Sequence, residues 1–350
     1  MDLNNFLLRA DATTEMGTGH IMRCLALAHG LIGQGKEVTL LGRCTHEGLR
    51  DRIETSGVRF IAIDRPHPDP ADLQRTIEIV SELRIHWVIL DGYHFDVNFH
   101  RTIRKTGCRL LVVDDSSNLA AYQADILLNQ NITARQELYA GSSINTFLLG
   151  LKYVLLRPEF LRKRQWLREL PEVAHKVLVT MGGADPDNAT LKVIQALQRV
   201  NGIELESRVV VGFTNPHLKT LRNAVEKSPC NIDFFVNVQD MSDQMAWADL
   251  AVAAAGSTCW ELAFMGLPTC TIVIAKNQWP VAERLHEEGF SLNLGWYHSF
   301  DLDHCAKTIG DLATDLGKRT FMSRRGRQLV DGKGVQAVIT ALRKFKERRR

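Results

Sequence analysis

Short apolar runs alternate along the chain with longer stretches whose apolar positions recur at helical spacing. In the first half the runs are FLLR (from Phe6), VTLLG (from Val38), VRFIAI (from Val58), WVILDGY (from Trp87), RLLVVDD (from Arg109), ILLNQ (from Ile126) and TFLLG (from Thr146). Helix-length segments such as His20 to Ile32 and Ala71 to Leu83 lie between them. A strand that is apolar at successive positions is buried on both faces, and helical crossovers between such strands make a parallel sheet. After LLRPEFLRKRQWLRELPEVAH the pattern restarts with KVLVTMGG, SRVVVG, IDFFVN, LAVAAAG and CTIVIA. The spacing predicts an α/β protein of two doubly wound parallel-sheet (Rossmann-like) domains, 1–157 and 158–350, facing a cleft and joined by a charged helical linker near Pro158 to Pro171. Helices over Leu302 to Leu316 and Arg325 to Lys346 are expected to cover the second domain.

A length of 350 residues suits two domains of roughly 100 to 200 residues each. Hydrophobic residues at 45% and charged residues at 24% argue against disorder, collagen and a disulfide scaffold. No apolar run approaches the roughly 18 residues of a bilayer crossing, and the start MDLNNFLLRAD lacks the features of a signal peptide. A cytoplasmic monomer without stable membrane insertion is therefore expected. The seven cysteines form no CxxC pair, so reduced, buried thiols are expected rather than disulfides or a zinc site. Of the formal charge of +3, the last eight residues, RKFKERRR, contribute six basic side chains and one acidic. The remainder is slightly acidic, which excludes a basic nucleic-acid binder. The tail itself is expected to be a solvated, frayed helix end, with contact to an acidic membrane or partner as the alternative.

In an open parallel sheet, ligands sit beyond the carboxyl ends of the strands. The first such place holds Arg9, Asp11, Glu15, Met16-Gly17-Thr18-Gly19-His20 and Met22-Arg23. Met22 stands where a dinucleotide fingerprint needs its third glycine, and a Walker lysine is missing. His20 falls at a helix start, where the positive dipole end opposes imidazolium and suits a general base; a plain capping histidine is the alternative. The fourth strand ends in Asp91-Gly92-Tyr93-His94-Phe95-Asp96. A metal site there is disfavoured, because such turns collect Asp and Gly, and Asp114-Asp115 and Asp185-Pro186-Asp187 read likewise as turn and cap residues. The second half offers Gly182-Gly183, then Gly256-Ser257-Thr258, Glu261, Gly266-Leu267-Pro268 and Asn277-Gln278. Glycine, hydroxyls and helix-start N–H groups suit a diphosphate and a carboxylate suits ribose, while a capping box explains Ser257, Thr258 and Glu261 equally well.

The A-G-S-T-x-W-E, G-x-P and N-Q series resembles the UDP-binding half of the MurG-like glycosyltransferases. The front motif R-A-D-x-x-x-x-x-G-x-G-H-x-M-R-C, with D-G-Y and the stretch Tyr153 to Phe160, resembles a narrower group, the UDP-2,4-diacetamido-2,4,6-trideoxy-β-L-altropyranose hydrolases (PseG family) of pseudaminic acid biosynthesis. The resemblance spans nearly the full chain and is weakest in its last forty residues or so. It implies a GT-B architecture and inverting, metal-independent hydrolysis of a UDP-sugar without a cofactor. His20 would activate water and Tyr93 would lie near the sugar. Gly256, Ser257 and Thr258 would hold the diphosphate, Glu261 the ribose, and Asn277 and Gln278 the sugar and phosphate side. Asp11, Gly17, Gly19, Arg23, Gly182 and Gly183 complete the expected substrate contacts. A MurG-like glycosyltransferase with an unidentified acceptor and a non-catalytic sugar-nucleotide binding module are the rival readings.

Overall fold

The computed structural model describes residues 4–13, 16–212 and 214–347. The chain divides into two compact units: the first ends at Pro158 and takes the chain back from Gly332, and the second runs Glu159–Asp331. Among the described residues, the first unit carries seven strands: β1 (Asn5–Ala10), β2 (Glu37–Gly42), β3 (Arg59–Ala62), β4 (Trp87–Asp91), β5 (Arg109–Val113), β6 (Gln123–Asn129) and β7 (Ser143–Leu149). They form one parallel sheet in the order β3-β2-β1-β4-β5-β6-β7. Alternation along each strand supplies both faces. Leu8, Leu40 and Ile89 pack with Ile21, Leu25 and Leu31 of the helix Gly19–Ile32. Their neighbours Leu7, Leu41 and Val88 pack with Ile79 and Phe99 of the helices on the other side. A sheet covered twice is why the runs are apolar throughout.

The second unit repeats the plan with β8 (Lys176–Thr180), β9 (Glu206–Val211), β10 (Asn231–Val236), β11 (Leu250–Ala254), β12 (Thr269–Val273) and β13 (Ser291–Trp296), ordered β10-β9-β8-β11-β12-β13 and all parallel. In each unit the strand order reverses once, between β1 and β4 and between β8 and β11, so a crevice opens at the carboxyl ends of those pairs. All seven cysteines are free thiols, six of them buried. Among the described residues no helix is long and apolar enough to cross a membrane.

The structure corrects four expectations. The linker is helical only over Pro158–Arg162. Beyond it Arg319 donates to the carbonyls of Pro171 and Glu172 and Arg327 to those of Arg164 and Trp166, while Arg168 of the linker donates outward to the carbonyls of Met245, Ala248 and Met265. The predicted helix Arg325 to Lys346 is two helices, Leu316–Leu329 and Gly334–Glu347, broken at Gly332, whose φ of +75° suits glycine. The expected domain 158–350 ends earlier, because Gly334–Glu347 packs on the first unit, burying Val338, Ile339 and Leu342 in the Leu8 core. The tail is correspondingly not frayed through Phe345, whose ring meets Trp87 edge-on at 5.7 Å, with the Arg109 guanidinium 5.0 Å from its centre. Arg348 to Arg350 lie outside the described residues. Apart from these four, β13 is a strand for which there was no expectation.

The docking of that last helix depends on a small residue opposite it. A Cβ on Gly30 would stand 2.3 Å from Val335 Cγ1 and 3.0 Å from Ile339 Cδ1. Gly30→Val should therefore cost about 1–3 kcal/mol in chemical denaturation, the usual penalty of overpacking. An unchanged denaturation curve would show that the helix does not bear on this position.

Candidate functional site

The site of the first unit lies where β1 and β4 diverge. After Ala10 the chain turns through Thr13, whose carbonyl accepts from Gly17 N at 2.9 Å, with Gly17 at φ +72°. Gly19 is exposed, with open space on its Cα. Thr14 and Glu15 lie outside the described residues. His20 follows in the first helical turn, 7% exposed, with Nδ1 2.7 Å from Asp91 Oδ1. A carboxylate can only accept, so this bond requires a proton on Nδ1, and a neutral ring in that form keeps its lone pair on Nε2. Among the described residues Nε2 has no hydrogen-bond partner, which leaves it able to take a proton from a ligand.

Asp91 closes an otherwise apolar strand and is 0% exposed. Arg23, one turn beyond His20, donates to it from Nε at 2.5 Å and Nη2 at 2.7 Å. Burial alone would raise the Asp91 pKa; the Arg23 and His20 partners overcome it and hold the group below the usual carboxylate value. Nη1 of Arg23 reaches Asp115 Oδ2 at 2.5 Å, and the Tyr93 hydroxyl donates to Asp115 Oδ1 at 2.5 Å. Tyr93 is 42% exposed and its ring meets that of His20 edge-on at 4.7 Å. Partial burial and the Asp115 charge push its pKa up, so the phenol remains a donor.

Two expected ligand contacts are internal. Asp11 is 1% exposed; its Oδ1 accepts from Arg9 Nη1 at 2.7 Å and from Arg43 N at 2.6 Å, and Oδ2 lies 2.9 Å from His94 Nε2. Arg9 is itself buried and forked onto Asp72. Arg23 likewise commits Nε, Nη1 and Nη2 to two carboxylates and acts on the site through them. Asp96 caps the helix Val97–Lys105 through Phe99 N, and Asp114 anchors its loop through Ser117 N and the hydroxyls of Tyr122 and Tyr139. Among the described residues no group of three or more His, Cys, Asp or Glu is arranged to hold a metal ion. The roles of Asp91 and Asp115 were missed by sequence reasoning, although a carboxylate at the end of a run as apolar as WVIL signals a buried, paired charge.

In the second unit the corresponding crevice lies at the ends of β8 and β11. Gly182 has φ +82°, and the Gly183 carbonyl accepts from the Thr214 hydroxyl at 2.5 Å. Asp185 caps the helix Ala189–Leu197 through Ala189 N and Thr190 N. Gly256, Ser257 and Thr258 follow β11, and Ser257 is exposed and makes no side-chain capping bond, which removes one arm of the capping box. Glu261 is half-buried in the first turn. Gln278 accepts from Ile274 N at 3.1 Å through Oε1, and its Nε2 lies 3.5 Å from where a Cβ on Gly256 would stand. Gly256 and Gln278 are thus neighbours, with exposed Asn277 beside them.

This architecture is the GT-B fold. The described chain superposes on the crystal structure of MurG from Acinetobacter baumannii with a TM-score of 0.67, at 16% identity, over 97% of this chain and 99% of that one. Residues 176–314 match the glycosyltransferase family 28 C-terminal domain. The chain is 23% identical to the spore coat polysaccharide biosynthesis protein SpsG of Bacillus subtilis over 341 residues, 97% of each chain. It is 26% identical to the UDP-2,4-diacetamido-2,4,6-trideoxy-β-L-altropyranose hydrolase of Campylobacter jejuni over 295 residues, 82% of this chain and 97% of that one.

The polar cluster behind the site has a measurable acid signature. His94, Arg9 and Arg43 together outweigh burial and hold Asp11 at about 2, against 3.8 ordinarily. That lowered value contributes about 2 kcal/mol of stability, present above pH ~4 and lost as pH falls through 2. Denaturation curves of the parent should weaken over that window, whereas Asp11→Asn should start less stable and lose less. Parallel pH dependence in the two proteins would contradict the assignment.

Proposed function

We propose that the protein hydrolyses a UDP-linked 2,4-diacetamido-2,4,6-trideoxyhexose at its anomeric carbon, releasing UDP and a free sugar for nonulosonic (pseudaminic) acid biosynthesis. The observation that carries the reading is the His20–Asp91 pair, which leaves a bare ring nitrogen at the carboxyl end of β1. Nε2 of His20 takes a proton from water as the water oxygen bonds to the anomeric carbon. The bond from that carbon to UDP breaks with its electron pair going to the diphosphate, and the configuration inverts. Asp91 offsets the positive charge that His20 gains, and the Tyr93 ring stands edge-on beside the imidazole. In the second unit, Gly256, Ser257 and Thr258 supply donors to the diphosphate, Glu261 accepts from ribose hydroxyls, and Asn277, Gln278 and the Gly182-Gly183 turn complete the contacts. The similarity to the Campylobacter hydrolase over most of both chains supports this substrate class.

A second reading, a UDP-sugar glycosyltransferase, is favoured by the family 28 match over 176–314. His20 would then deprotonate an acceptor hydroxyl in place of water. Release of UDP from a panel of UDP-diacetamido-trideoxyhexoses with no acceptor present separates the two: the hydrolase turns over, the transferase does not.

Replacing His20 by Asn keeps its approximate size and removes the accepting nitrogen, so turnover should fall by roughly 10² to 10⁴. UDP affinity should stay within a factor of two or so. Turnover near that of the parent would reduce His20 to a capping residue. Glu261→Ala should weaken UDP binding in calorimetry by about 1–3 kcal/mol, the scale of hydrogen bonds to a charged group. Unaltered affinity would remove Glu261 from the nucleotide site.

A further inference from the structure

The His20 ring stands beside two groups that would set its proton in opposite places. Asp91 Oδ1, 2.7 Å from Nδ1, requires a proton on Nδ1. Arg23 Nη2 lies 3.1 Å from the same Nδ1 and, as a donor, would require that nitrogen bare and the proton on Nε2. A neutral ring protonated on Nε2 cannot accept a proton from water there. What decides between the two is the direction in which the guanidinium is held.

We propose that Asp115 is a positioning residue that keeps His20 in its Nδ1–H form by anchoring Arg23. Asp115 Oδ2 accepts from Nη1 at 2.5 Å, the one guanidinium nitrogen that does not bond Asp91. With that end fixed, Nε and Nη2 are both directed to Asp91, at 2.5 and 2.7 Å, and the planar fork leaves little freedom to turn toward the imidazole. The Asp91 carboxylate, held at both oxygens, then presents Oδ1 to His20. A second arm runs through Tyr93. Its hydroxyl is tied to the other oxygen of Asp115, which sets its ring edge-on against His20 at 4.7 Å and 81°. The Asp115 loop is itself secured, because Asn131 Nδ2 donates to the Asp115 carbonyl at 3.1 Å and Asn118 Nδ2 to the Tyr93 carbonyl at 3.2 Å. One carboxylate that touches neither water nor sugar in the proposed reaction therefore orients the base from two sides. Its catalytic consequence rests on the hydrolase reading; the ring's protonation pattern does not.

The test is long-range proton–nitrogen NMR on protein labelled in its histidines, with His20 assigned by loss of its signals in His20→Asn, at about pH 8, where imidazole is ordinarily neutral. The parent should show a bare Nε2 and a protonated Nδ1. Asp115→Asn should show the proton shared between the nitrogens, and Asp115→Glu should restore the parent pattern in part; Asp115→Ser replaces the Asn variant if circular dichroism shows that Asn disturbs folding. In turnover, Asp115→Asn should lower kcat by roughly 10-fold or more with KM little changed, and should cause no additional loss in the His20→Asn background. An unaltered ring pattern in the Asp115 variants, or an equal loss of kcat in both backgrounds, would overturn the proposal. A shifted ring pattern in a protein that turns over no UDP-sugar would sink the hydrolase reading and leave the positioning role intact.

Discussion

A carboxylate without access to water, Asp91, is the constraint around which the first unit is arranged. An unpaired charge at that depth costs several kcal/mol, so its partners must come from the element packed against it. They come from one helix: His20 and Arg23 are three positions apart and share a face. That spacing fixes the rotation of the helix Gly19–Ile32 about its axis and, with it, which of its apolar residues enter the core. Parallel pairing of Ala10 with Asp91 brings the β1 turn beside the acid. Sheet register, helix rotation and ring orientation are therefore one solution rather than three.

The strands were legible because their burial on both faces leaves no polar alternation to misread. β13, SLNLGW, escaped notice for the converse reason: at the sheet edge it carries Asn293 and Gly295 among its apolar residues. The site was legible in its glycines and histidine, which chain order places at a helix start. Its carboxylates were not. Asp91 lies 71 positions from His20 and Asp115 lies 92 from Arg23, so their meeting depends on strand order, which periodicity leaves open. Asp11 and Arg23, expected to meet a ligand, bond to other side chains and backbone instead, because a motif states which residues occur together, not which way they face. The linker resembled a helix in its mixture of charge and leucine, but arginines from the rest of its own unit take its carbonyls instead.

The two units reach comparable ends by different chemistry. Each has its strand order reversed once and glycines at the resulting crevice. In the first, the crevice is filled by mutually compensating charges that orient one ring. In the second it is lined by backbone turns, hydroxyls and an amide, with Gln278 set against Gly256. The first arrangement is suited to moving a proton and the second to holding oxygens, a division of labour that follows from the residue types alone.

The return of Gly334–Glu347 to the first unit makes the order of synthesis matter. Residues 4–158 emerge from the ribosome well before the helix Gly334–Glu347, which completes their core against Gly30 and Trp87. Until some 170 further residues have been made, the apolar surface that this helix buries stays exposed, the condition under which partly folded chains recruit chaperones or associate. The second unit, continuous in sequence, is under no such delay. A premature stop after Asp331 would thus spare the unit just completed and injure the one made first.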